Sequence, residues 1–325
     1  MRRLVVALAL GLLAQGCGGG GGGGSGGGGA TATQPVQPAS GPGGAAATYA
    51  GVIESTYGTG TGQYWIFEPA GSGATPLPLV VFCHGYSAFQ PDLYLAWIDH
   101  VVRRGAIVVY PRYQADLLTP PATFTSNALG AVVAAIAVLE GGGHAIVDLT
   151  HTAVVGHSFG GVIAANLAAI AQANGLPAFD AVMCCAPGTG GFSTYANYAN
   201  IPAGTLLLSI ACDDDTVVGD VDAKRIFNQT TSILLADKDY VRVRSDAHGT
   251  VPLVAEHGAP SAPLTPPGPD ALDFYGFWKW FDALTDAAFF GSNRAYALGD
   301  KPQQRSMGTW GDGVDVLEAI VTDTP

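Results

Sequence analysis

The feature that most constrains this chain is the run V-V-G-H-S-F-G-G over residues 154–161, in which G-x-S-x-G follows an apolar strand and precedes a helix of small residues. A serine on such a turn has strained backbone angles, and small residues two positions either side let strand and helix approach closely. Gly156 and Gly160 meet that requirement. The run therefore predicts a nucleophilic Ser158, with the Phe159 N–H at a helix start where it can stabilise an oxyanion.

The segments around this run indicate the fold class. From about Thr48, short apolar runs alternate with longer stretches of helical period, which predicts one α/β domain with a mainly parallel sheet and helices on both faces. The predicted strands cover residues 64–67, 79–83, 107–110, 153–155, 181–185, 205–211 and 240–243, and the predicted helices cover residues 93–102, 129–139, 163–170, 222–227 and 270–284.

Charge excludes one class of partner. Lys and Arg number 14 against 26 Asp and Glu, for a net charge of −12, and no basic run is longer than two residues. The positive surface that binds a phosphate backbone is therefore missing, and the composition argues against nucleic-acid binding.

The N-terminus predicts export. Two arginines precede an apolar run over residues 4–13, shorter than the roughly 20 residues of a membrane-spanning helix, so residues 1–17 are predicted to be an export signal. The segment before Cys17 resembles a bacterial lipoprotein signal, in which the cysteine is lipidated, although Ala14 stands where that family prefers leucine. A plain secretory signal is the alternative. We expect a cell-envelope lipoprotein or a secreted protein, with residues 18–47 as a Gly/Pro/Ala-rich flexible tether and residues 48–325 as the catalytic domain.

The remaining cysteines are Cys83, Cys184, Cys185 and Cys212, and none forms the C-x2-C pair of a zinc site. We expect small core residues. A disulfide from Cys184 or Cys185 to Cys212 is the alternative in an oxidising compartment. No metal or other cofactor is implied.

The motif at residues 156–161 resembles that of α/β-hydrolase serine esterases of the platelet-activating-factor acetylhydrolase, chlorophyllase and polyester-hydrolase type. The likeness covers nearly all of the folded part, and it implies an α/β-hydrolase fold and ester hydrolysis through an acyl-enzyme. Dienelactone hydrolases share the fold but carry cysteine at the position of Ser158. A second run, V-V-F-C-H-G-Y over residues 80–86, is similar to the family loop that supplies the other oxyanion N–H, which implies Tyr86 for that role and a structural role for His84.

A serine nucleophile needs a histidine base and a carboxylate that orients it. The chain order in the resembled family is serine, acid, histidine, which leaves His248 and His257 as bases. The resemblance places the acid at Asp215, although the D-D-D run over residues 213–215 could instead be a solvated turn or a weak calcium site. His248 directly follows the strand over residues 240–243 and is the predicted base, with His257 as the alternative.

About twenty residues separate Cys185 from the strand that begins at residue 205, too few for a helical cap, so we expect an open site. The sequence as a whole predicts an exported, lipid-anchored serine hydrolase acting on small or polymeric carboxylic esters, with Ser158, His248 and Asp215 as its triad. A peptidase or amidase on the same fold and an inactive surface-binding module are the alternatives.

Overall fold

The computed structural model describes residues 32–192 and 194–325. The predicted export signal, Cys17 and the first part of the predicted tether lie outside the described residues.

One mixed sheet forms the centre of the domain, with the strand order β1-β2-β4-β3-β5-β6-β7-β8-β9. The pairs from β4 through β3 to β8 are parallel, whereas β1–β2, β2–β4 and β8–β9 are antiparallel. The strands are β1 Val52–Tyr57, β2 Tyr64–Pro69, β3 Leu77–Cys83, β4 Ile107–Pro111, β5 Val147–His157, β6 Ala181–Cys185, β7 Leu206–Cys212, β8 Lys238–Val243 and β9 Ile320–Thr322.

Helices cover both faces of the sheet, because parallel neighbours need crossover connections that return over a face. The helices are α1 Leu95–Arg104, α2 Phe124–Glu140, α3 Phe159–Ile170, α4 Val221–Gln229, α5 Trp278–Phe290 and α6 Pro302–Arg305, with a π-helical turn, Asp273–Phe277, directly before α5. One apolar core holds side chains of α1 and α5, and a second core on the other face holds those of α2 and α3. The predicted α/β-hydrolase fold is confirmed.

The segment Pro121–Glu140, which contains α2, is apolar and long enough to cross a membrane by composition alone. Its inner face, however, is buried in the second core, where Ala128, Val132 and Ala135 lie. The core helix of a globular domain passes the same test, so this helix gives little support for a membrane span.

Residues 32–47 differ from the sequence prediction. They were expected to be flexible tether, but from Ala32 onward the chain contacts the domain. The Ala32 carbonyl accepts a hydrogen bond from the Thr250 amide at 3.2 Å, and the Gly43 amide donates to Asp282 Oδ2 at 2.7 Å. Composition reports how much surface a segment can bury by itself, whereas here the domain supplies hydrogen-bond partners for its backbone.

The four described cysteines are free and buried. The alternative of a disulfide to Cys212 is therefore not realised in the structure, and the expectation of small core residues is met. Burial raises the pKa of each of these thiols above its ordinary value.

Candidate active site

The turn between β5 and α3 holds Ser158 in a strained conformation. Its φ of 58° and ψ of −125° lie in a region that side chains other than glycine rarely adopt. A side chain at Gly156 would collide with the backbone of Gly160, and one at Gly160 would collide with the backbone of Cys83. The two glycines therefore allow the close approach of β5, α3 and β3 that places Ser158 above the sheet.

Ser158 and Asp215 meet at one histidine, His257. The Nε2 atom of His257 lies 2.8 Å from Ser158 Oγ, and its Nδ1 atom lies 2.7 Å from Asp215 Oδ2. A carboxylate only accepts hydrogen bonds, so Nδ1 carries the proton of the neutral ring and Nε2 accepts the serine hydroxyl. This is the arrangement of nucleophile, base and orienting acid that acyl transfer requires.

The structure does not place His248, the predicted base, at Ser158. His248 Nε2 lies 2.8 Å from Asp312 Oδ2, and neither Ser158 nor Asp215 is among its contacts in the described part of the chain. The reason lies in the base loop, which we define as residues 244–257. Asp246 and Leu253 pair as an antiparallel bridge, so the chain carries His248 away toward the C-terminal segment before returning.

The returning part of the base loop brings His257 to the site. The Ala255 carbonyl accepts a hydrogen bond from the Asp214 amide at 2.9 Å, and Ser245 Oγ donates to Asp214 Oδ2 at 2.6 Å. These contacts join the base loop to the acid loop, residues 213–218. Sequence reasoning kept His257 only as the alternative, because the rule of taking the first histidine after the strand contains no information about the pairing of Asp246 with Leu253.

Within the acid loop, Asp215 is held from both sides. Its Oδ1 atom accepts the amides of Val217 at 2.9 Å and Val218 at 3.0 Å, while Oδ2 faces His257. Burial by itself would raise the pKa of this carboxyl, but the hydrogen bonds from His257 and the two amides hold it below its ordinary value. The Asp215 carboxyl is therefore ionised where it faces Nδ1 of His257.

The other two carboxylates of the acid loop have separate partners. Asp213 forms an ion pair with Arg242 at 2.8 Å, and Asp214 accepts the Ser245 hydroxyl described above. The D-D-D run is thus neither a simple solvated turn nor three carboxylates turned to one shared partner.

In the loop after β3, the Tyr86 amide has no acceptor in the described part of the chain. In this oxyanion loop, residues 84–90, the Gly85 amide donates to Tyr94 Oη at 3.0 Å and the Ser87 amide donates to Gln114 Oε1 at 2.9 Å. The Tyr86 amide between them, like the Phe159 amide at the start of α3, has no acceptor among the described residues. Both predicted oxyanion donors are therefore available to a substrate.

His84 is the first residue of the oxyanion loop, and its side chain lies in the interior. It is fully buried and its ring stacks on Tyr113 with ring centres 4.0 Å apart. Burial lowers the pKa of His84 to about 3, so the ring is neutral. These contacts fit the structural role that the sequence suggested rather than a role as base.

A serine on a strand-to-helix turn, with a histidine and an aspartate reaching it from loops after β8 and β7, defines an α/β-hydrolase site. A comparison with protein-family models matches residues 26–257 to a model described as PET hydrolase-like, or PETase. This region spans 232 of the 325 residues (from 26 to 257, inclusive) and includes Ser158, Asp215 and His257. The chain belongs to this PET hydrolase-like family, and it is accordingly a hydrolase that acts on esters. A search of curated proteins finds no match.

Proposed function

We propose that the protein is a serine hydrolase that cleaves carboxylic esters through an acyl-enzyme, with Ser158 as nucleophile, His257 as general base and acid, and Asp215 as the orienting carboxylate. The observation that carries this proposal is the position of His257, within 2.8 Å of the serine hydroxyl and within 2.7 Å of the aspartate.

Acylation follows from that position. As Ser158 Oγ attacks the ester carbonyl carbon, His257 Nε2 takes the hydroxyl proton and the carbonyl oxygen becomes an oxyanion. The free amides of Tyr86 and Phe159 donate hydrogen bonds to that oxygen. His257 then gives its proton to the departing alkoxide, the ester C–O bond breaks, and an alcohol leaves an acyl group on Ser158.

Deacylation repeats these steps with water. His257 takes a proton from the water that attacks the acyl carbon, and the tetrahedral intermediate again places its oxygen on the two amides. The bond from that carbon to Ser158 Oγ then breaks as His257 returns the proton to Oγ, which restores the hydroxyl and releases the carboxylic acid. Asp215 remains ionised throughout. Because the Val217 and Val218 amides fix its carboxylate, it holds His257 Nδ1–H in place and keeps Nε2 turned toward the serine.

We propose a polymeric ester as the substrate class, as the family description suggests. The connection from β6 to β7 contains, among its described residues, one short 3-10 turn and no cap helix. Exposed apolar side chains lie at both loops: Leu117, whose carbonyl accepts the Tyr86 hydroxyl at 3.3 Å, is 62% exposed, its neighbour Leu118 is 89% exposed, and Val217 of the acid loop is 52% exposed. An open apolar rim suits a long chain that lies across the surface while one carbonyl at a time reaches Ser158.

Replacement of the nucleophile tests the proposed activity. We expect Ser158→Ala to reduce hydrolysis of a p-nitrophenyl ester and of polyester particles by roughly 10⁴- to 10⁶-fold and to abolish labelling by a fluorophosphonate. Ser126→Ala, which removes an exposed hydroxyl on α2, is the matched control and should keep both. Full labelling of Ser158→Ala would overturn the proposal.

We also propose export and lipid anchoring at Cys17, on the support of the charged start, the apolar run and the cysteine that follows it. A lipoprotein cysteine carries several acyl chains, and more than one chain is needed for stable anchoring. Cys17→Ala should move the protein from the membrane fraction to the soluble fraction with unchanged activity toward a soluble ester. A native protein that is already soluble and carries no lipid by mass spectrometry would contradict the anchor.

A further inference from the structure

A chain of hydrogen bonds runs behind the active site, through two buried side chains that the mechanism above does not use. The Gly85 amide lies 3.0 Å from Tyr94 Oη, and Tyr94 Oη lies 2.8 Å from His157 Nδ1. His157 Nε2 lies 2.7 Å from the backbone oxygen of His257. The chain therefore begins one residue before the oxyanion donor Tyr86 and ends on the base itself.

The direction of every bond in this chain is determined by its ends. The His257 carbonyl can only accept, so His157 Nε2 carries a proton and donates it. In the neutral ring Nδ1 then carries no proton, so it accepts the hydrogen bond that the Tyr94 hydroxyl donates. The oxygen of Tyr94 in turn accepts from Gly85 N–H, which can only donate. Each of the four groups is used in its one available role.

Burial keeps this arrangement in one protonation state. Tyr94 is 1% exposed and His157 is 5% exposed. Burial, together with the neighbouring His257, lowers the pKa of His157 to about 3, so its ring stays neutral at ordinary pH. Burial also raises the pKa of the Tyr94 phenol, which keeps its proton.

The two ends of this series of hydrogen bonds lie in the oxyanion loop and the base loop, and the proposed reaction requires both loops to be placed accurately. The oxyanion loop has to present the Tyr86 amide, and the base loop has to keep His257 within reach of Ser158. His157 is also the residue directly before Ser158 in β5, so its side chain joins the two loops at the nucleophile itself. A displacement near 1 Å at such a site can cost a large part of the rate.

We propose that Tyr94 and His157 are positioning residues that couple the oxyanion loop to the backbone of the base His257. They touch neither the ester nor the reacting atoms, and they act by fixing two loops against each other. This inference rests on the proposed function, since it assigns the coupling to the Ser158–His257–Asp215 site.

Tyr94→Phe tests the coupling with the smallest change. It removes one oxygen and keeps the ring, which packs 5.0 Å from the ring of Phe82. We expect kcat for a soluble p-nitrophenyl ester to fall about ten- to a hundredfold, because two buried groups lose their partner, while KM stays within about twofold. A contact with substrate would instead raise KM.

Tyr198→Phe is the matched control. Tyr198 is also fully buried, but its hydroxyl has no hydrogen-bond partner within residues 32–192 and 194–325. Its variant should keep kcat and KM. If Tyr94→Phe also keeps kcat and changes only the melting temperature, the pair has a structural role alone and the inference is wrong.

A second pair of variants keeps the test decisive if Tyr94→Phe does not fold. In His157→Gln the side chain retains an N–H donor and a carbonyl acceptor, whereas His157→Leu has neither. We expect the glutamine variant to keep at least tenfold more kcat than the leucine variant, and equal rates would overturn the inference.

Adding Tyr94→Phe to His157→Leu should lower kcat little further, because His157→Leu has already interrupted the same series of hydrogen bonds. Fully additive losses would contradict the coupling. Ser158→Ala, assayed alongside, separates the two proposals. If Ser158→Ala keeps its activity, the triad itself is refuted. If Ser158→Ala is inactive and Tyr94→Phe keeps the full rate, only the coupling is refuted.

Discussion

Two histidines of the base loop each pair with an aspartate elsewhere in the chain, at nearly the same distance. His257 Nδ1 lies 2.7 Å from Asp215, and His248 Nε2 lies 2.8 Å from Asp312. Their surroundings differ. The first pair has side chains 17% and 0% exposed, and the second has side chains 37% and 26% exposed. Solvent screens an exposed pair, which therefore contributes little to stability, whereas a buried carboxylate depends on its partners.

The two pairs also use their ring nitrogens differently. His257 turns Nδ1 to the acid, which leaves Nε2 for the hydroxyl of Ser158. His248 turns Nε2 to Asp312, and its ring lies beside the indole of Trp310 with ring centres 5.8 Å apart. A carboxylate near a histidine is therefore insufficient evidence for a general base, and the Ser158 hydroxyl at the second nitrogen is the feature that separates the pairs.

We expect the largest difference in kcat between substitutions of the two histidines. His257→Ala should lower kcat toward a p-nitrophenyl ester by about 10⁴- to 10⁶-fold, since the serine loses its proton acceptor. His248→Ala should stay within about twofold of the unmodified protein. Steady-state kinetics on both variants measure the difference, and the opposite order of rates would return the role of base to His248.

The aspartates provide a somewhat smaller contrast. Asp215→Asn should lower kcat by about 10⁴-fold, because an amide donor facing Nδ1 favours the wrong tautomer of His257. Asp312→Asn should leave kcat almost unchanged, since its histidine does not contact the serine. Equal losses in the two variants, measured with the same ester, would mean that the exposed pair supports the site in a way its contacts do not indicate.

The smallest effect concerns acid stability. The pKa of Asp215 is lowered in the folded protein despite its burial, by His257 and two amides, and that of Asp312 is lowered chiefly by His248. A carboxyl with a lowered pKa adds stability that is present above its unfolded pKa of about 3.9 and is lost as the pH falls through its folded pKa. Both carboxyls therefore act in the same direction.

Solvent screens the exposed pair, so Asp312 should have a smaller effect on acid stability than Asp215. Between about pH 5 and pH 2.5, the melting temperature of Asp215→Asn should fall less steeply than that of the unmodified protein. The melting temperature of Asp312→Asn should fall in parallel with that of the unmodified protein. Thermal melts followed by circular dichroism at each pH provide the measurement. A parallel curve for Asp215→Asn would mean that its buried hydrogen bonds do not favour the ionised form.

The sequence predicted those parts of the fold whose pattern lies within a few neighbouring residues. The apolar runs predicted the seven strands from β2 to β8, and G-x-S-x-G predicted the turn at Ser158. The apolar pattern gave no sign of β1, whose six residues are all half-exposed or exposed, or of β9, which has three residues. An edge strand buries little and so carries little of the apolar pattern on which such predictions depend.

The choice of base depended on distant contacts. Asp246 Oδ2 accepts the indole N–H of Trp310 at 3.1 Å and the amide of Leu317 at 2.9 Å, which ties the base loop to the C-terminal segment. The side of the loop that reaches Ser158 is thus decided by residues more than sixty positions later in the chain. The sequence around either histidine does not show these contacts with Trp310 and Leu317.

Because the described cysteines are buried, a cysteine introduced at the surface of the domain could be labelled selectively. Cys83, Cys184 and Cys185 are 0% exposed and Cys212 is 5% exposed, so thiol reagents have no open target on the folded domain among the described residues. In a Cys17→Ala background, Leu118→Cys would offer one reactive sulfur near the oxyanion loop, at a position that is 89% exposed. A single dye there would report when a polymer surface covers the rim, and a single linkage at a residue on the opposite side would immobilise every molecule with its active site facing outward.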